Sequence, residues 1–250
     1  MKQELKSRLN KAATVFPRLM PEQVAAPGPT RSSKAKNSNP GGRLSKGFAP
    51  ERPGNVKSTV LSVENMSSFG SLYVDFLRVR RQVFVEDKGW GLPVVDGMEF
   101  DQYDTPFSRW IVIHEHGEIL AGVRLIPTTA QCGIYSYMLR DAQLGLLDQI
   151  PPDILLVDAP VKKEIWEASR MFISANVPAH RRLVIQSILM ADMVQTAREL
   201  GATHVIGIVP AVWSRWLRRM DFQGFACGPR MKFGKDRSQA VLLKVVDQTH

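Results

Sequence analysis

Arginine, carboxylate and aromatic side chains alternate between residues 80 and 104 in a pattern suited to binding a charged small molecule. They are Arg80, Arg81, Phe84, Trp90, Glu99, Asp101 and Asp104. Arg80 and Phe84 are four residues apart, so a helix would place them on one face. Such a pocket suits a zwitterion that also carries an onium charge, with arginine for its carboxylate, aspartate for its amine and a ring face for its cation. An ion pair between a helix and a loop, above core aromatic residues, would use the same residue types, so both interpretations stay open.

A second group of charged residues lies within the apolar run from residue 163 to 173. In a regular strand Glu167 and Ser169 share one face and Arg170 points the opposite way, because side chains alternate. Glu167 and Arg170 can reach one pocket only if a β-bulge intervenes. Charges in a buried strand are costly unless they are paired or functional, so this segment favours a functional role. Arg124 is likewise a lone charge in an apolar strand, and we expect an acidic residue from the 94–105 loop as its partner.

Hydrophobic periodicity predicts the elements that must position these residues. The predicted strands span 59–63, 109–116, 118–127, 163–173, 204–209 and 240–246, and the predicted helices span 72–85, a short stretch ending at residue 147, 179–200 and 212–220. Gly117 joins the second and third strands as a hairpin, and Gly201 ends the long helix. Early antiparallel pairing and a late strand–helix–strand unit predict an α/β (α+β) domain with one mixed central sheet flanked by helices.

The net charge of +9 comes from the first 57 residues. Residues 1–57 hold twelve of the 33 basic and three of the 24 acidic residues, which leaves 21 of each sign in residues 58–250. Seven of the sixteen prolines also lie in this segment, which has too little apolar surface to fold by itself. We expect residues 1–57 to be a disordered basic extension or an arm for an anionic partner, and residues 58–250 to be the folded domain.

Composition excludes several other classes of protein. The chain has 250 residues and is 44% hydrophobic, enough to bury a core, but no stretch approaches the ~18 consecutive apolar residues of a membrane span. The N-terminus lacks the apolar region of a secretory signal, so a cytoplasmic location is expected. Cys132 and Cys227 cannot complete a tetrahedral metal site, and His114 and His116 have no third ligand nearby in sequence, so no metal site is predicted.

The predicted helix at 212–220 carries residues that also occur on nucleic-acid-binding faces. These residues are Trp213, Arg215, Trp216, Arg218 and Arg219. A core helix with its aromatic residues inward and its arginines outward is the commoner arrangement of such a pattern. Because the body of the chain is also neutral, nucleic acid is a weak candidate as a partner.

Five short motifs occur together in an order and spacing that resembles one enzyme family. The motifs are Arg80-x-x-x-Phe84, Trp90, Glu99-Phe100-Asp101-x-x-Asp104, Gly122-x-Arg124-Leu125-x-Pro127-Thr128 and Trp166-Glu167-x-Ser169-Arg170. Each motif is weak alone, but the ordered set is similar to the acyl-homoserine-lactone synthases, the LuxI-like autoinducer synthases. The resemblance covers roughly residues 60–220 and does not include the basic extension.

The resemblance implies a fold, a reaction and a division of roles among the residues. The fold would be similar to that of the GCN5-related N-acyltransferases, whose central strands splay to form an acyl tunnel. In the reaction the α-amine of S-adenosylmethionine, a substrate rather than a cofactor, attacks an acyl thioester. The methionyl carboxylate then closes onto its own γ-carbon and expels methylthioadenosine. By the same resemblance the adenosylmethionine end is shaped by Arg80, Phe84, Trp90, Asp101, Asp104 and Arg124, and the acyl side is lined by Trp166, Met171 and Phe172.

The resemblance also assigns the chemistry at the thioester. Glu167 would be the base for the amine, through a water molecule, because the amine must lose a proton before it attacks. Arg170 and Ser169 would lie near the thioester. Residues 177–182 lack the glycine-rich phosphate-binding turn of acetyl-CoA-dependent relatives, yet Arg181 and Arg182 could grip a phosphate or an acidic carrier surface.

The identity of the donor and two rival functions remain open from the sequence. We favour an acyl carrier protein as the donor, with acyl-CoA as the alternative. Many family members that make 3-oxo products have a threonine where this chain has Val209-Pro210, which argues against a 3-oxo acyl group. The rivals are an acyl-CoA-dependent N-acyltransferase acting on another amine and a nucleic-acid-binding protein.

Overall fold

Nine strands and four α-helices form within residues 52–219, 222–233 and 236–245, the part of the chain that the computed structural model describes. The strands are β1 (Lys57–Leu61), β2 (Val94–Val95), β3 (Met98–Glu99), β4 (Arg109–Glu115), β5 (Glu118–Pro127), β6 (Ile165–Ile173), β7 (His204–Pro210), β8 (Gly224–Phe233) and β9 (Asp236–Lys244). The helices are α1 (Leu72–Arg81), α2 (Met138–Gln143), α3 (Ala179–Glu199) and α4 (Trp213–Arg219).

Seven of these strands build one mixed sheet in the order β1-β4-β5-β6-β7-β9-β8. β6 and β7 pair in parallel, and every other neighbouring pair is antiparallel. The predicted hairpin of β4 and β5 is present, and its turn residues His116 and Gly117 have positive φ angles of 51° and 86°. Two consecutive positive φ angles match the twist of a two-residue hairpin. The sequence-based prediction of a mixed α/β sheet flanked by helices is therefore confirmed.

Different helices pack on the two faces of the sheet. On one face α3 supplies Ile185, Ile188 and Leu189, which pack in one buried cluster with alternate residues of β4 and β5 such as Ile111 and Val123. The opposite face carries α1 and α2, and it holds the charged residues of the candidate site. The sheet thus has an apolar side under α3 and a mixed side under the two shorter helices.

The strands β6 and β7 separate partway along their length. Their register runs from Ile165 opposite His204 to Ala168 opposite Gly207 and then stops, although both strands continue. Gly207 makes the close approach at the last pair possible, since a Cβ atom there would lie 2.6 Å from the backbone oxygen of Ala168. Beyond this pair the two strands leave a gap in the middle of the sheet.

The first helix ends in a widened turn. The apolar residues at helical spacing form α1 as expected, but Gln82–Asp87 adopts π-helical geometry rather than continuing the α-helix to residue 85. π-Helical turns recur at functional sites because they reorient side chains. Here the turn carries Phe84, whose backbone oxygen accepts a hydrogen bond of 2.9 Å from the amide of Trp90.

The C-terminal part of the sheet differs most from the sequence-based expectation. Strand β8 was not predicted, because Gly224, Gly228 and Pro229 interrupt its pattern, and its only strand partner among the described residues is β9. β9 begins at Asp236 rather than residue 240, and α2 ends at Gln143 rather than residue 147. Met220 and Val246, at the predicted ends of the last helix and strand, lie outside the described residues, as does most of the predicted extension.

Candidate active site

Arg80, near the end of α1, binds two carboxylates from the segment that follows the helix. Its side chain is 0% exposed. Its Nη1 and Nη2 atoms donate to Oδ1 and Oδ2 of Asp104 at 2.7 and 3.0 Å. Its Nε atom donates to Oε2 of Glu99, in β3, at 2.5 Å. The arginine therefore fixes the loop from residue 94 to 105 against α1.

Arg124, on β5, reaches the same loop from the sheet. Its Nη1 and Nη2 atoms donate to Oδ1 and Oδ2 of Asp101 at 2.5 and 3.2 Å, and its Nη1 lies 3.0 Å from Oδ1 of Asp104. Its Nε atom donates to the hydroxyl of Ser169, its neighbour on β6, at 3.1 Å. The expectation of an acidic loop partner for this buried charge is confirmed.

Arg170 joins the network because β6 contains a bulge. The register with β5 shifts between Gly122 and Arg124, and Arg170 has a φ of 54°, in the left-handed region. That extra residue turns its side chain to the face of Ser169, as the sequence had required. Its Nε donates to Glu99 at 3.1 Å, and its Nη2 lies 2.9 Å from Oδ2 of Asp101.

The three arginines and three carboxylates of this network balance in charge. Burial alone would raise the pKa of Asp101, but the guanidinium groups of Arg124 and Arg170 hold it below its usual range. The pKa of Asp104 is lowered in the same way, against the effect of burial, by Arg124 and Arg80. Asp101 and Asp104 are therefore ionised at neutral pH. The six groups of the network shape the site chiefly by bonding to one another.

An aromatic platform borders the network. The rings of Phe84 and Trp90 stack with their centroids 5.2 Å apart, and the guanidinium of Arg170 lies 5.8 Å from the centroid of Phe84. The face of an aromatic ring attracts a cation. The platform and Arg170 together could receive a ligand that carries both a positive charge and a carboxylate.

Glu167 is buried on β6 and is held by the first turn of α2. Its side chain accepts hydrogen bonds from the backbone amides of Met138, at 3.0 Å, and Leu139, at 2.8 Å. It is 0% exposed, and burial raises its pKa to about 7 despite these two bonds. A carboxylate with such a pKa exchanges a proton readily near neutral pH.

A cavity of about 710 Å³ passes through the gap between β6 and β7. At one end it touches Phe84, Trp90 and Arg170, and farther in it is lined by apolar side chains from α3, α4, β7 and β9. The apolar lining includes Met190, Met193, Val205, Leu217 and Leu243. The cavity can hold a polar group near the network and a hydrocarbon chain across the sheet.

The structure divides the site residues predicted from sequence into two sets. Those that line the cavity are Phe84, Trp90, Ser169, Arg170, Met171, Phe172 and Arg182. Arg80, Asp101, Asp104, Arg124 and Glu167 lie buried beside it, in the network or against α2. Trp166 packs in the core cluster under α3, and Arg181 pairs with Glu115 at 2.8 Å on the surface.

Sequence reasoning missed residues whose importance depends on distant contacts. Glu99 was noted within the charged stretch but not as the link between Arg80 and Arg170. Asp141 was not singled out, although a lone carboxylate within the apolar start of α2 is a usable signal. Lys232 and Arg237 line the cavity from β8 and β9. Neither had a signal, because β8 was not predicted and Arg237 precedes the predicted start of β9.

The described ranges contain no group of three His, Cys, Asp or Glu side chains placed to hold a metal ion. In the same ranges, every helix is too short or too polar to cross a membrane. Helix α4 forms over part of the segment considered for nucleic acid. The part of the chain that the structure describes does not include the side chains of Trp213, Trp216 and Arg219.

Comparison with known proteins gives consistent matches. A family model described as autoinducer synthase matches residues 65–249. An acyl-homoserine-lactone synthase from Ralstonia solanacearum is 34% identical over 157 residues, which cover 60% of this chain and 71% of that protein. The crystal structure of TofI in a ternary complex with an inhibitor and MTA has a TM-score of 0.60 and 26% identity, and covers 77% of this chain and 94% of that one. BjaI, described as a CoA-dependent acyl-homoserine lactone synthase with SAM and isopentyl-CoA, has a TM-score of 0.60 and 23% identity over 77% of this chain and 85% of its own.

A mixed sheet whose parallel central pair diverges around a cavity, with helices on both faces, is the fold of a GCN5-related N-acyltransferase. The match over residues 65–249 is more specific: the chain belongs to the autoinducer synthase family. It is an enzyme, an acyltransferase that makes acyl-homoserine lactones, and the resemblance stated from its motifs is confirmed.

Proposed function

We propose that this enzyme forms an N-acyl-homoserine lactone from S-adenosylmethionine and an acyl thioester, with both substrates meeting in the cavity between β6 and β7. The observation that carries the proposal is the cavity itself. It joins a cation-binding platform and a buried ionic network at one end to an apolar passage through the sheet. Both parts are needed to bring a charged amino acid and a fatty acyl chain together.

The adenosylmethionine end of the site is assigned to Phe84, Trp90 and Arg170. The sulfonium would lie against the ring faces, and the carboxylate would face Arg170, whose side chain is 9% exposed. Arg80, Arg124, Asp101 and Asp104 have 0–3% exposed side chains and bond mainly to each other. Their role is to hold the loop and Arg170 in place rather than to touch the substrate.

The chemical steps require one base. The amine loses a proton through a water molecule to Glu167, forms a C–N bond with the acyl carbonyl carbon, and the thiol of the donor leaves. The carboxylate then attacks the γ-carbon, and breakage of the C–S⁺ bond releases methylthioadenosine. The pKa of about 7 for Glu167 suits a group that must accept a proton near neutral pH.

The acyl chain is assigned to the apolar passage. Met171 and Phe172 stand at its entrance on β6, and Met193 and Leu217 lie on the α3 side of the sheet. Trp166 supports this passage from the core. Burial of each methylene of the chain in such a lining stabilises the complex by about 0.8 kcal/mol.

The donor is assigned to the basic end of the cavity. Arg182 lines the cavity and donates to the backbone oxygens of Ser174 and Val177 at 3.1 and 3.4 Å. With Lys232 and Arg237 it provides positive charge for a phosphate or an acidic carrier surface. An acyl carrier protein remains the favoured donor and acyl-CoA the alternative, and we place the reaction in the cytoplasm. The catalytic domain begins before residue 57, since β1 starts at Lys57 and Arg52 pairs with Asp192.

The test is a product assay on the full-length protein. The enzyme is incubated with S-adenosylmethionine and a panel of acyl carrier protein and CoA thioesters of different chain lengths, and products are identified by mass spectrometry. The proposal expects an N-acyl-homoserine lactone and methylthioadenosine in equal amounts. Acyl transfer without methylthioadenosine would instead show an N-acyltransferase acting on another amine.

A further inference from the structure

Asp141 is a buried carboxylate on α2 that has no part in the chemical steps described above. Its side chain accepts hydrogen bonds from the backbone amide of Ser136, at 3.2 Å to Oδ1 and 3.0 Å to Oδ2. The hydroxyl of Tyr103 donates to its Oδ2 atom at 2.9 Å. All three residues are buried. The carboxylate therefore connects the residues just before its own helix to the loop from residue 94 to 105.

The segment fastened in this way is the one that binds Glu167. Ser136 precedes by two and three residues the amides of Met138 and Leu139, which donate to Glu167. The side chain of Tyr137, the residue before α2, makes no capping hydrogen bond. Ser136 binds Asp141 through its backbone amide and not through its hydroxyl. The Asp141 carboxylate thus takes the place of a side-chain cap at the start of α2.

Tyr103 extends the connection to the adenosylmethionine end. Its backbone amide donates to Oδ1 of Asp101 at 2.9 Å, and Asp101 also binds Arg124 and Arg170. One tyrosine therefore bonds both the ionic network, through its amide, and the start of α2, through its hydroxyl.

We propose that Asp141 is a positioning residue for Glu167, acting through the first turn of α2, an inference that rests on the proposed role of Glu167 as the base. It keeps two amide donors aimed at the Glu167 carboxylate and so sets where that carboxylate lies and how readily it accepts a proton. Misplacement of a catalytic group by about 1 Å can lower turnover on the order of 100-fold.

Four ionisable groups face Glu167 from the elements packed around it. They are Arg124 on β5, Tyr103 in the loop, and Tyr137 and Asp141 at α2. Burial raises the pKa of both tyrosines, and the pKa of Arg124 is also raised, by Asp101 and Asp104 against the effect of burial. Arg124, Tyr103 and Tyr137 therefore keep the same charge near neutral pH. A change in the titration of Glu167 then reports on its two amide donors and on Asp141.

The experiment compares two substitutions at this position. Asp141→Ala removes the bonds to Ser136 and Tyr103, so the amides lose their alignment. We expect kcat to fall roughly tenfold to hundredfold with little change in the KM for S-adenosylmethionine, and the acidic limb of the pH–rate profile to move to higher pH. Asp141→Asn keeps a hydrogen-bond acceptor but removes the charge, so it should recover most of kcat and move the acidic limb below its wild-type position.

A second readout does not depend on turnover. The carboxyl group of Glu167 is titrated by ¹³C NMR in protein labelled at glutamate, and its signal is assigned with Glu167→Gln. The pKa of Glu167 should rise in Asp141→Ala and fall in Asp141→Asn. Asp158→Asn, which removes an exposed acid, is the control and should leave both readouts unchanged.

The outcomes separate this inference from the proposed function. One contrary result is that both variants have lower melting temperatures and still keep the wild-type pH profile and the wild-type titration of Glu167. In that case Asp141 is only structural and the inference is wrong. If the wild-type enzyme makes no lactone, the proposed function fails. The NMR titration still decides in that case whether Asp141 controls Glu167.

Discussion

Glu167 illustrates how one residue can be both structural and reactive. Its carboxylate satisfies two amides at the start of α2, as a helix-capping group would, and burial raises its pKa to about 7. The two backbone hydrogen bonds favour the ionised form, whereas the lack of water favours the protonated one. The balance leaves a carboxylate that changes its protonation state in the range where the enzyme must work.

The substitution Glu167→Gln tests the role of this carboxylate. Glutamine keeps an acceptor oxygen for one of the amides but cannot take a proton, so we expect folding to persist and kcat to fall by about 100-fold to 10,000-fold. In the wild-type enzyme turnover should decline as the pH falls through about 7, because the fraction of ionised Glu167 declines. Release of methylthioadenosine over a pH series measures both effects, and wild-type turnover in the variant would rule out Glu167 as the base.

Arg124 tests the ionic network at the same scale. Its side chain is 0% exposed, and its removal would leave Asp101 and Asp104 with fewer compensating charges. We expect Arg124→Ala to lower the free energy of unfolding by about 3–5 kcal/mol and to lower activity as well. Arg78→Ala, which breaks an exposed pair with Asp75 on α1, is the control and should cost less than about 1 kcal/mol. Equal denaturation curves for the two variants would contradict a buried structural role for Arg124.

At the level of elements, the gap between β6 and β7 is the feature on which the cavity depends. Gly207→Ala would place a methyl group 2.6 Å from the backbone oxygen of Ala168, at the last pair before the strands diverge. The strands must then move apart, and we expect a loss of about 1–3 kcal/mol in stability together with reduced turnover.

Gly91→Ala provides the matched control for this substitution. Its added methyl group would meet only the end of the Gln149 side chain, at 3.3 Å. That exposed side chain donates to the Gly91 backbone oxygen at 2.7 Å and can exchange this bond for one to water. Thermal melting of both variants makes the comparison. If Gly207→Ala melts no lower than Gly91→Ala, the close approach at the divergence point does not constrain the sheet.

Sequence patterns predicted the elements more fully than the contacts between them. The hairpin of β4 and β5, the helix α3 and the bulge needed at Arg170 follow from local periodicity and from the cost of burying a charge. The binding of Glu167 to α2 could not be predicted, because its partners are backbone amides about 28 residues away that have no signature in the sequence. Strand β8 was missed because its two glycines and its proline resemble a loop.

In the whole molecule, the net charge and the candidate active site lie in different parts of the chain. The whole net charge of +9 lies in residues 1–57, whereas the cavity, the network and Glu167 lie in the body. The boundary of a useful truncation lies a few residues earlier than composition implied. Arg52 pairs with Asp192 of α3 at 2.5 Å, and β1 already begins at Lys57.

Removal of residues 1–51 should therefore leave both melting temperature and lactone synthesis unchanged. Removal of residues 1–57 should lower stability, because it removes the Arg52–Asp192 pair and the first residue of β1. Melting curves and lactone assays of the two truncated proteins make the comparison. Loss of activity in the shorter deletion would place the extension within the catalytic machinery, and steeply salt-dependent DNA or RNA binding by the full-length chain would support the rival nucleic-acid function.

A crystal structure with S-adenosylmethionine and a non-hydrolysable acyl thioether of the donor would test the central claim most directly. The account predicts the sulfonium against Phe84 and Trp90, the amine within one water molecule of Glu167, and the acyl chain between β6 and β7 toward Met193. A sulfonium bound away from the aromatic platform, or an acyl chain lying on the outer surface of the sheet with the gap empty, would contradict it.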